Sequence, residues 1–369
     1  MRAAGNKAQL KILAAIGAAA ARAGLKAWAV GGFARDYYLG KNTCDIDICA
    51  LGDTRPLVDF CIKNYGARAV YFNNFGTARA VFDGGLKIDF VRCRKEVYDK
   101  PAALPHVAAG NLEDDLYRRD FTANAWALSL LPSEFFKSYD LFESRAAIDA
   151  GIVKILHPKS FEDDPTRVFR AVRFAARFGW RLEPATEKLL KAAVRGGFIS
   201  LLSRERVRQE LLKILEEKNP LPALKLAAEY GALKFVYAGL KCPPAIEKVQ
   251  DLSARLTLLA LAQGAKGADF LKSLRLERGL YNECVAVVDF FENKRALARP
   301  LNAAQKKIAR LYAPGLPAAA LRPLVIAGGD LQKLGLQGGA LGAALRKTAR
   351  LQFAGEIRTK KEALKIFKV

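Results

Sequence analysis

The sequence predicts an α+β protein, with a small mixed or mostly antiparallel sheet and its helices over the first 150 residues, then an all-helical remainder. Three observations carry that prediction. Short apolar runs with strand character alternate with turns between 27 and 131. From Pro165 onward strand signals vanish, and apolar residues recur at three and four, the helical spacing. Proline and glycine then break the helical half near 219–221, 242–244 and 313–317. At 369 residues the chain is long enough for more than one core.

The elements follow in order. KILAAIGAAAARAG has the look of a signal-peptide apolar region, but Arg22 sits inside its end and a fold-like strand follows, so 6–23 reads as a packing helix. AWAV, CDIDICA, ARAVYF, TARAVF, LKIDFV and NAWALSLL read as strands. LVDFCIKNYG is a helix between the second and third, and Asp83-Gly84-Gly85 is a hairpin turn. VFRAVRFAARFG, RVRQELLKILEE and ALGAALRKTARL are amphipathic helices.

Charge narrows the partner. Sixty Lys+Arg against 37 Asp+Glu leave +23, with a pI near 9.8, which suits a polyanion. RNA, DNA and an anionic membrane surface are the candidates, with a generally cationic surface as the plainer reading, and no apolar stretch reaches the roughly 18 to 20 residues of a membrane span. Six cysteines without a C-x-x-C pair and only two histidines offer no zinc-ligand spacing. Reduced thiols in a cytoplasmic protein are the simplest account, and two histidines argue against a histidine-based phosphohydrolase centre.

The chemistry concentrates in VGGFARDYYLGKNTCDID. Asp45 and Asp47 sit two apart in a strand, hence on one face and about 7 Å apart along the chain. Like charges so held call for a cation between them. Upstream, Gly31-Gly32 lets backbone amides approach a ligand, and a helix from Phe33 offers its positive end to phosphate. Arg35 and Lys41 add charge. Phosphate-binding backbone facing paired carboxylates suits two Mg²⁺ ions gripping a nucleoside triphosphate. Asp89, alternating with Ile88 and Phe90, is the candidate third acid, or else an exposed strand acid. In FEDDPTRVFRAVRFAARFG, Pro165 fits a first helical turn and Asp164 its N-cap. Arg167, Arg170, Arg173 and Arg177 then fall within about 120° of one helix face.

VGGFARD, DID, LEDDLYRRDFTANA (112–125) and FEDDPTRVFRAVRFAARFG together resemble the bacterial class II tRNA nucleotidyltransferases of the CCA-adding type, in the DNA polymerase β superfamily. The resemblance covers nearly the whole chain, most strongly 28–215 and 326–364. It implies a polymerase-β-like catalytic head (1–150), a helical neck with the base-reading helix (151–218), a helical body (219–312) and a tRNA-binding tail (313–369). It implies Mg²⁺ on Asp45, Asp47 and Asp89, and phosphate contacts from Gly31, Gly32, Arg35 and Lys41. Arg119 and Asp120, supported by Asn124, would hold the ribose and triphosphate. Asp164 and Arg167 would read the incoming base, with Asp163 where relatives often have Glu, and Arg170 and Arg173 beside them. The chemistry agrees: cytosine and adenine each present an amine donor beside a ring-nitrogen acceptor, which an acceptor Asp and a donor Arg satisfy. LSRERVRQELLKIL (202–215) matches the neck-closing helix, where Arg206 and Glu210 read as structural. The tail resembles the CCA-adding branch, which bacterial poly(A) polymerases share only in the head. From Arg346 to the end eight basic residues face two acidic ones, and Arg346, Lys347, Arg350, Lys360 and Lys361 are candidate RNA contacts.

One departure stands out. Asp140-Leu141-Phe142-Glu143-Ser144 replaces the usual Asp-Pro-Phe-Gly-Gly, so the glycines that would let a head–neck hinge move between C and A addition are missing. The loop CRKEVYDKPAALPHV (93–107) is present, which disfavours CC-only addition. The expected function is template-independent CCA addition to tRNA 3′ ends from CTP and ATP. The alternatives are A-only or poly(A) addition and a non-catalytic RNA binder. The sequence leaves the oligomeric state open, a monomer included.

Overall fold

The structure, a computed structural model, describes residues 7–72, 77–292 and 301–367. It divides into two compact units, one ending at Leu202 and the other beginning at Ser203. That division falls inside the segment 151–218.

In the first unit, β1 (Ala27–Val30), β2 (Asp45–Ala50), β3 (Arg68–Phe72), β4 (Thr77–Val81) and β5 (Lys87–Arg92) belong to a seven-stranded sheet. A hairpin of β6 (Arg94–Val97) and β7 (His106–Ala109) stands apart, and β8 (Ala127–Ser129) and β9 (Ser138–Tyr139) complete the sheet, whose order is β3-β4-β5-β2-β1-β8-β9. All neighbours in it are antiparallel except β2 and β5, so it is mixed, as expected. Each strand run named from sequence forms one, and Gly84 and Gly85 take positive φ in the β4–β5 turn.

Alternation sets the two faces. Ile46, Ile48, Ala78, Ala80, Ile88 and Phe90 point into a core. They pack with α1 (Lys7–Arg22), α2 (Gly32–Tyr38) and α3 (Arg55–Tyr65) through Leu13, Ile16, Phe33, Leu57 and Val58. Burying these side chains contributes about 1.5–3 kcal/mol for each large one. The opposite face carries Asp45, Asp47, Arg79 and Asp89. On the way to the helical half lie α4 (Leu112–Tyr117), α5 (Ser144–Asp149), β10 (Ile152–Val153), α6 (Ser160–Asp163), α7 (Thr166–Phe178), β11 (Arg181–Leu182) and α8 (Pro184–Arg195).

One expectation is corrected here. Strand structure does not end before Pro165, because β11 pairs in parallel with β10. It is two residues long, between the left-handed Gly179 and the N-cap of α8, too short to show a period. The arginine stripe of α7 is largely turned inward. Arg167 and Arg173 are buried and Arg170 is half-buried in an ion pair, leaving only Arg177 of the four exposed.

Among its described residues the second unit is all helical. It comprises α9 (Arg204–Glu216), α10 (Leu221–Glu229), α11 (Leu252–Ala262), α12 (Gly267–Ser273), α13 (Arg278–Glu292) and α14 (Ala303–Tyr312), then α15 (Gly328–Gln332), α16 (Gly338–Ala354) and α17 (Lys360–Lys365). The predicted breaks fall between α9 and α10, α10 and α11, and α14 and α15. Buried α11 packs against α9, α12, α13 and α14. Its Arg255, 1% exposed, donates to the carbonyls of Leu215, Glu217, Lys218 and Val249, so a cation satisfies the C-terminal end of α9. Ile326, Leu331, Ala344, Ile357 and Ala363 form a separate small core under α15, α16 and α17.

Candidate active site

β1 ends at Val30, and Gly31 turns the chain into α2 with φ 71°. Two facts demand glycine there. The left-handed backbone disfavours any Cβ, and a Cβ would collide with Nη1 of Arg119 and sit 3.4 Å from Asp47 Oδ2. The parallel register of β2 and β5 sets Asp47 opposite Asp89, with Asp45 two residues back opposite Lys87. The three acids read from sequence thus share one sheet face. Arg79, opposite Asp89 on β4, donates Nε to Oδ1 and Nη2 to Oδ2, both at 2.7 Å.

α4 supplies the facing cations. Its Asn111 and Asp114 form a capping box. Buried Asp115 accepts from Arg118 at 2.6 Å and from Arg119 at 2.9 Å, fixing both guanidinium groups. Burial raises the Asp115 carboxyl, but the two arginines outweigh it and hold it below its ordinary value. Asp47 goes the other way: crowding by the walls of the cleft raises it, Arg119 opposes, and the charges of Asp89 and Asp115 add to the rise. Its side chain still opens to solvent at the mouth of a cleft of about 220 Å³ lined by Val30, Thr77, Asp89, Arg118 and Arg119.

Among the described residues no three His, Cys, Asp or Glu side chains form a ready-made metal cluster. Both oxygens of Asp89 accept from Arg79. Asp45 and Asp47 still fit a hard divalent cation. They are exposed, offer only oxygen, and Asp47 bears the excess negative charge that a cation relieves.

Behind the cleft lies a second network. Asp120 accepts from its neighbour Phe121 N at 2.9 Å, from Asn124 Nδ2 at 2.8 Å and from Arg170 Nε at 2.9 Å. Burial alone would raise its carboxyl, yet Arg170 and Asn124 hold it down at about 2. Asn124 accepts in turn from Arg35. Arg35 is buried, bonded to Asp36 at 2.8 Å and laid over Phe174 and Phe178, while Lys41 lies over Phe178 at 4.5 Å. Neither of these two lines the Asp47 cleft.

A cavity of about 420 Å³ takes in two of the other predicted nucleotide residues, and Asp164, Arg170 and Arg173 are not among its lining. Asp163 and Arg167 line it with Glu96, Tyr117, Arg118 and His157. Arg167 donates to Ser160 Oγ at 2.5 Å and to the Arg118 carbonyl at 2.8 Å, with His157 Nε2 at 3.4 Å. Burial, then Arg167, lowers His157 to about 4, so it is neutral at physiological pH. Burial raises Asp163, with Arg167 opposing. Pro165, not Asp164, stands at the N-cap position of α7, and Asp164 Oδ1 just before it accepts from Thr166 N at 3.0 Å and Thr166 Oγ1 at 2.6 Å.

Sequence reading missed Arg79, Asp115, Arg118, Ser160 and His157. Only Arg118 carried a signal, as the first Arg of the RRD run; the others acquire their roles from register and packing. In the second unit Arg346, Lys347, Arg350 and Lys361 are exposed, and Lys360 pairs with Asp330 at 2.6 Å. The six cysteines are free, and among the described residues no helix is long and apolar enough to cross a membrane.

Comparison with known proteins places this geometry. Residues 27–154 match the poly A polymerase head domain, and 179–242 match a probable RNA and SrmB-binding site of polymerase A. The chain is 40% identical to the A-adding tRNA nucleotidyltransferase of Geobacter sulfurreducens over 62% of its own length, which is 26% of that relative. The match to the A-adding relative of Aquifex aeolicus likewise spans 26% of that protein, so the chain spans about a quarter of the length of these two relatives. It is 30% identical to the CC-adding tRNA nucleotidyltransferase of Deinococcus radiodurans over 90% of this chain and 86% of that one. Its fold superposes on the Thermotoga maritima CCA-adding enzyme complexed with tRNA at a TM-score of 0.64, with 26% identity over 98% of this chain and 95% of that one. Head match, near full-length relative and shared fold agree: the chain belongs to the tRNA nucleotidyltransferase and poly(A) polymerase head family.

Proposed function

We propose that the chain is a template-independent tRNA nucleotidyltransferase that adds the terminal A to tRNA 3′ ends from ATP. The observation that carries nucleotidyl transfer is the juxtaposition of Asp47 with Gly31 and the half-buried Arg119, with Asp45 on the same sheet face. Terminal A addition is favoured by the 40% identity to an A-adding relative. Full CCA addition from CTP and ATP is the second reading, favoured by the fold match to a CCA-adding enzyme over nearly all of both chains.

In this reading Asp45 and Asp47 hold Mg²⁺, which would polarise the phosphoryl group and favour deprotonation of the tRNA 3′-hydroxyl. The amides at Gly31-Gly32 and the Arg119 guanidinium receive the triphosphate. Asp89 keeps Arg79 in place beside the carboxylates. Asp120 orients Asn124 and Arg170 along the sugar. Arg167, with Asp164 and Asp163, meets the base edge, where uracil or guanine would leave polar groups unpaired at roughly 1–3 kcal/mol each. Arg346, Lys347, Arg350 and Lys361 meet the tRNA backbone.

The test uses tRNAs ending before CCA, after one C and after CC, each with CTP, ATP or both, followed by end sequencing. Extension of only the CC-ending tRNA, by one A, is expected. Extension of all three to CCA establishes the second reading, long A tracts a poly(A) polymerase, and no extension refutes transfer altogether.

A further inference from the structure

Tyr117 closes α4 and is 47% exposed, although two aromatic rings flank it. His157 lies 5.3 Å away at 35°, and Phe142 lies 5.8 Å away at 40°. An aromatic side chain that has neighbours to pack on yet keeps half its surface in solvent offers area to something else. Tyr117 and His157 line the same cavity as Asp163 and Arg167. The cavity therefore has an aromatic wall and a charged, hydrogen-bonding wall. A nucleobase needs both, a π-surface for its faces and donors and acceptors for its edge.

Position along the chain strengthens the match. Arg118 lines both this cavity and the Asp47 cleft, and Arg119 reaches Gly31. Consecutive residues 117, 118 and 119 thus run from the aromatic wall, through a wall shared by both spaces, to the phosphate-facing turn. A nucleotide with its base against Tyr117 has its triphosphate directed at Asp47. His157 is suited to the back of such a wall, since it is neutral and its Nε2 faces Arg167.

We propose that Tyr117, backed by His157 and Phe142, is the surface on which the base of the incoming nucleotide stacks in the cavity that holds Asp163 and Arg167. The inference rests on the nucleotidyltransferase reading and adds a binding residue to it. Stacking tolerates any base but grows with ring area, so adenine gains more than cytosine.

Equilibrium binding of ATP and of CTP to the full-length protein without tRNA tests it, alongside tRNA binding and steady-state kinetics. Tyr117→Ala should weaken ATP binding about ten-fold, the effect of one lost base stack, and CTP binding by less. Tyr117→Phe should match wild type, because the ring and not the hydroxyl is used. KM for ATP should rise in step with the weaker binding, while tRNA affinity stays near wild type. Tyr117→Leu separates stacking from bulk and guards against a misfolded alanine variant; it should bind ATP as weakly as Tyr117→Ala at an unchanged melting temperature. Three outcomes overturn the proposal: unaltered nucleotide binding in Tyr117→Ala, wild-type ATP affinity in Tyr117→Leu, or a loss confined to tRNA, which would assign the ring to the acceptor's terminal base. Failure of the wild-type protein to transfer any nucleotide would instead refute the functional reading beneath it.

Discussion

Gly31 shows how much a single position can hold. Its positive φ costs a non-glycine residue about 1–2 kcal/mol, and its missing Cβ is where Arg119 passes. Gly31→Ala should therefore lower both stability and transfer, and a melting curve beside a transfer assay would separate them. Asp45→Ala should abolish transfer while tRNA binding survives, because binding comes from the basic surface; an active Asp45→Ala protein would sink the metal assignment. Asp164 accepts from Thr166 at the start of α7, a role that Asn performs equally well, so Asp164→Asn should leave stability within about 0.5 kcal/mol. If Asp164 also accepts from the base amine, the same change should admit UTP or GTP and cost correct transfer roughly 1.5–3 kcal/mol. Unaltered nucleotide preference would leave only the bonds to Thr166. Asp120 makes a pH prediction. Its carboxyl is depressed to about 2, so the stability it contributes is present above the unfolded value near 3.9 and is lost as pH falls through about 2. The difference amounts to about 2–3 kcal/mol. Asp120→Asn should lose that much at neutral pH and show a flatter acid limb in denaturant titrations between about pH 4 and pH 2.

At the scale of elements, termini carry much of the specificity. The end of α9 is satisfied by Arg255 from α11, a buried cation whose partners are carbonyls and the Gln250 side chain rather than a carboxylate. Arg255→Leu should destabilise the second unit by about 3–5 kcal/mol, since it leaves helix-end carbonyls buried and unpaired; chemical denaturation followed by circular dichroism measures it. α5 begins at a point of conflict. Glu143 takes φ 59° at the position where relatives usually carry glycine, and Asp140 compensates by accepting from Ser144 N at 2.6 Å and Arg145 N at 3.0 Å. The sequence revealed the missing glycine, and the structure keeps the left-handed turn nonetheless. α7 is the opposite case. Its four arginines were legible as one face, but three are drawn inward, by Asp120, by Ser160 and by ring contacts.

For the whole molecule the net charge of +23 dominates. tRNA affinity should fall steeply with salt, with a log–log slope near 0.7 to 0.9 per phosphate neutralised, several units in all. The structure also selects the mutation that tests the C-terminal contribution. Deleting residues from 346 onward would cut α16 in half and open the core of Ile326, Leu331 and Ala344. Replacing exposed Arg346, Lys347 and Arg350 with Glu instead should weaken tRNA binding and flatten the salt slope without altering nucleotide preference. Lys360→Glu should matter less, because Asp330 already holds that ammonium.

The sequence by itself determined the strand runs and their turns, the helical second half, the Gly31–Asp45–Asp47 constellation and the cationic excess. Each is local: a period, a dipeptide, a spacing, a sum. Tertiary structure alone decided which charges meet. The parallel register of β2 and β5 puts Asp89 beside Asp47, and the β4–β5 hairpin delivers Arg79 to it. Packing of α4 and α7 buries Asp115, Asp120 and Arg167 among partners up to 50 residues away in sequence. A buried charge takes its role from the groups that surround it in space, because desolvation forces it to find a partner, and no stretch of chain names that partner in advance.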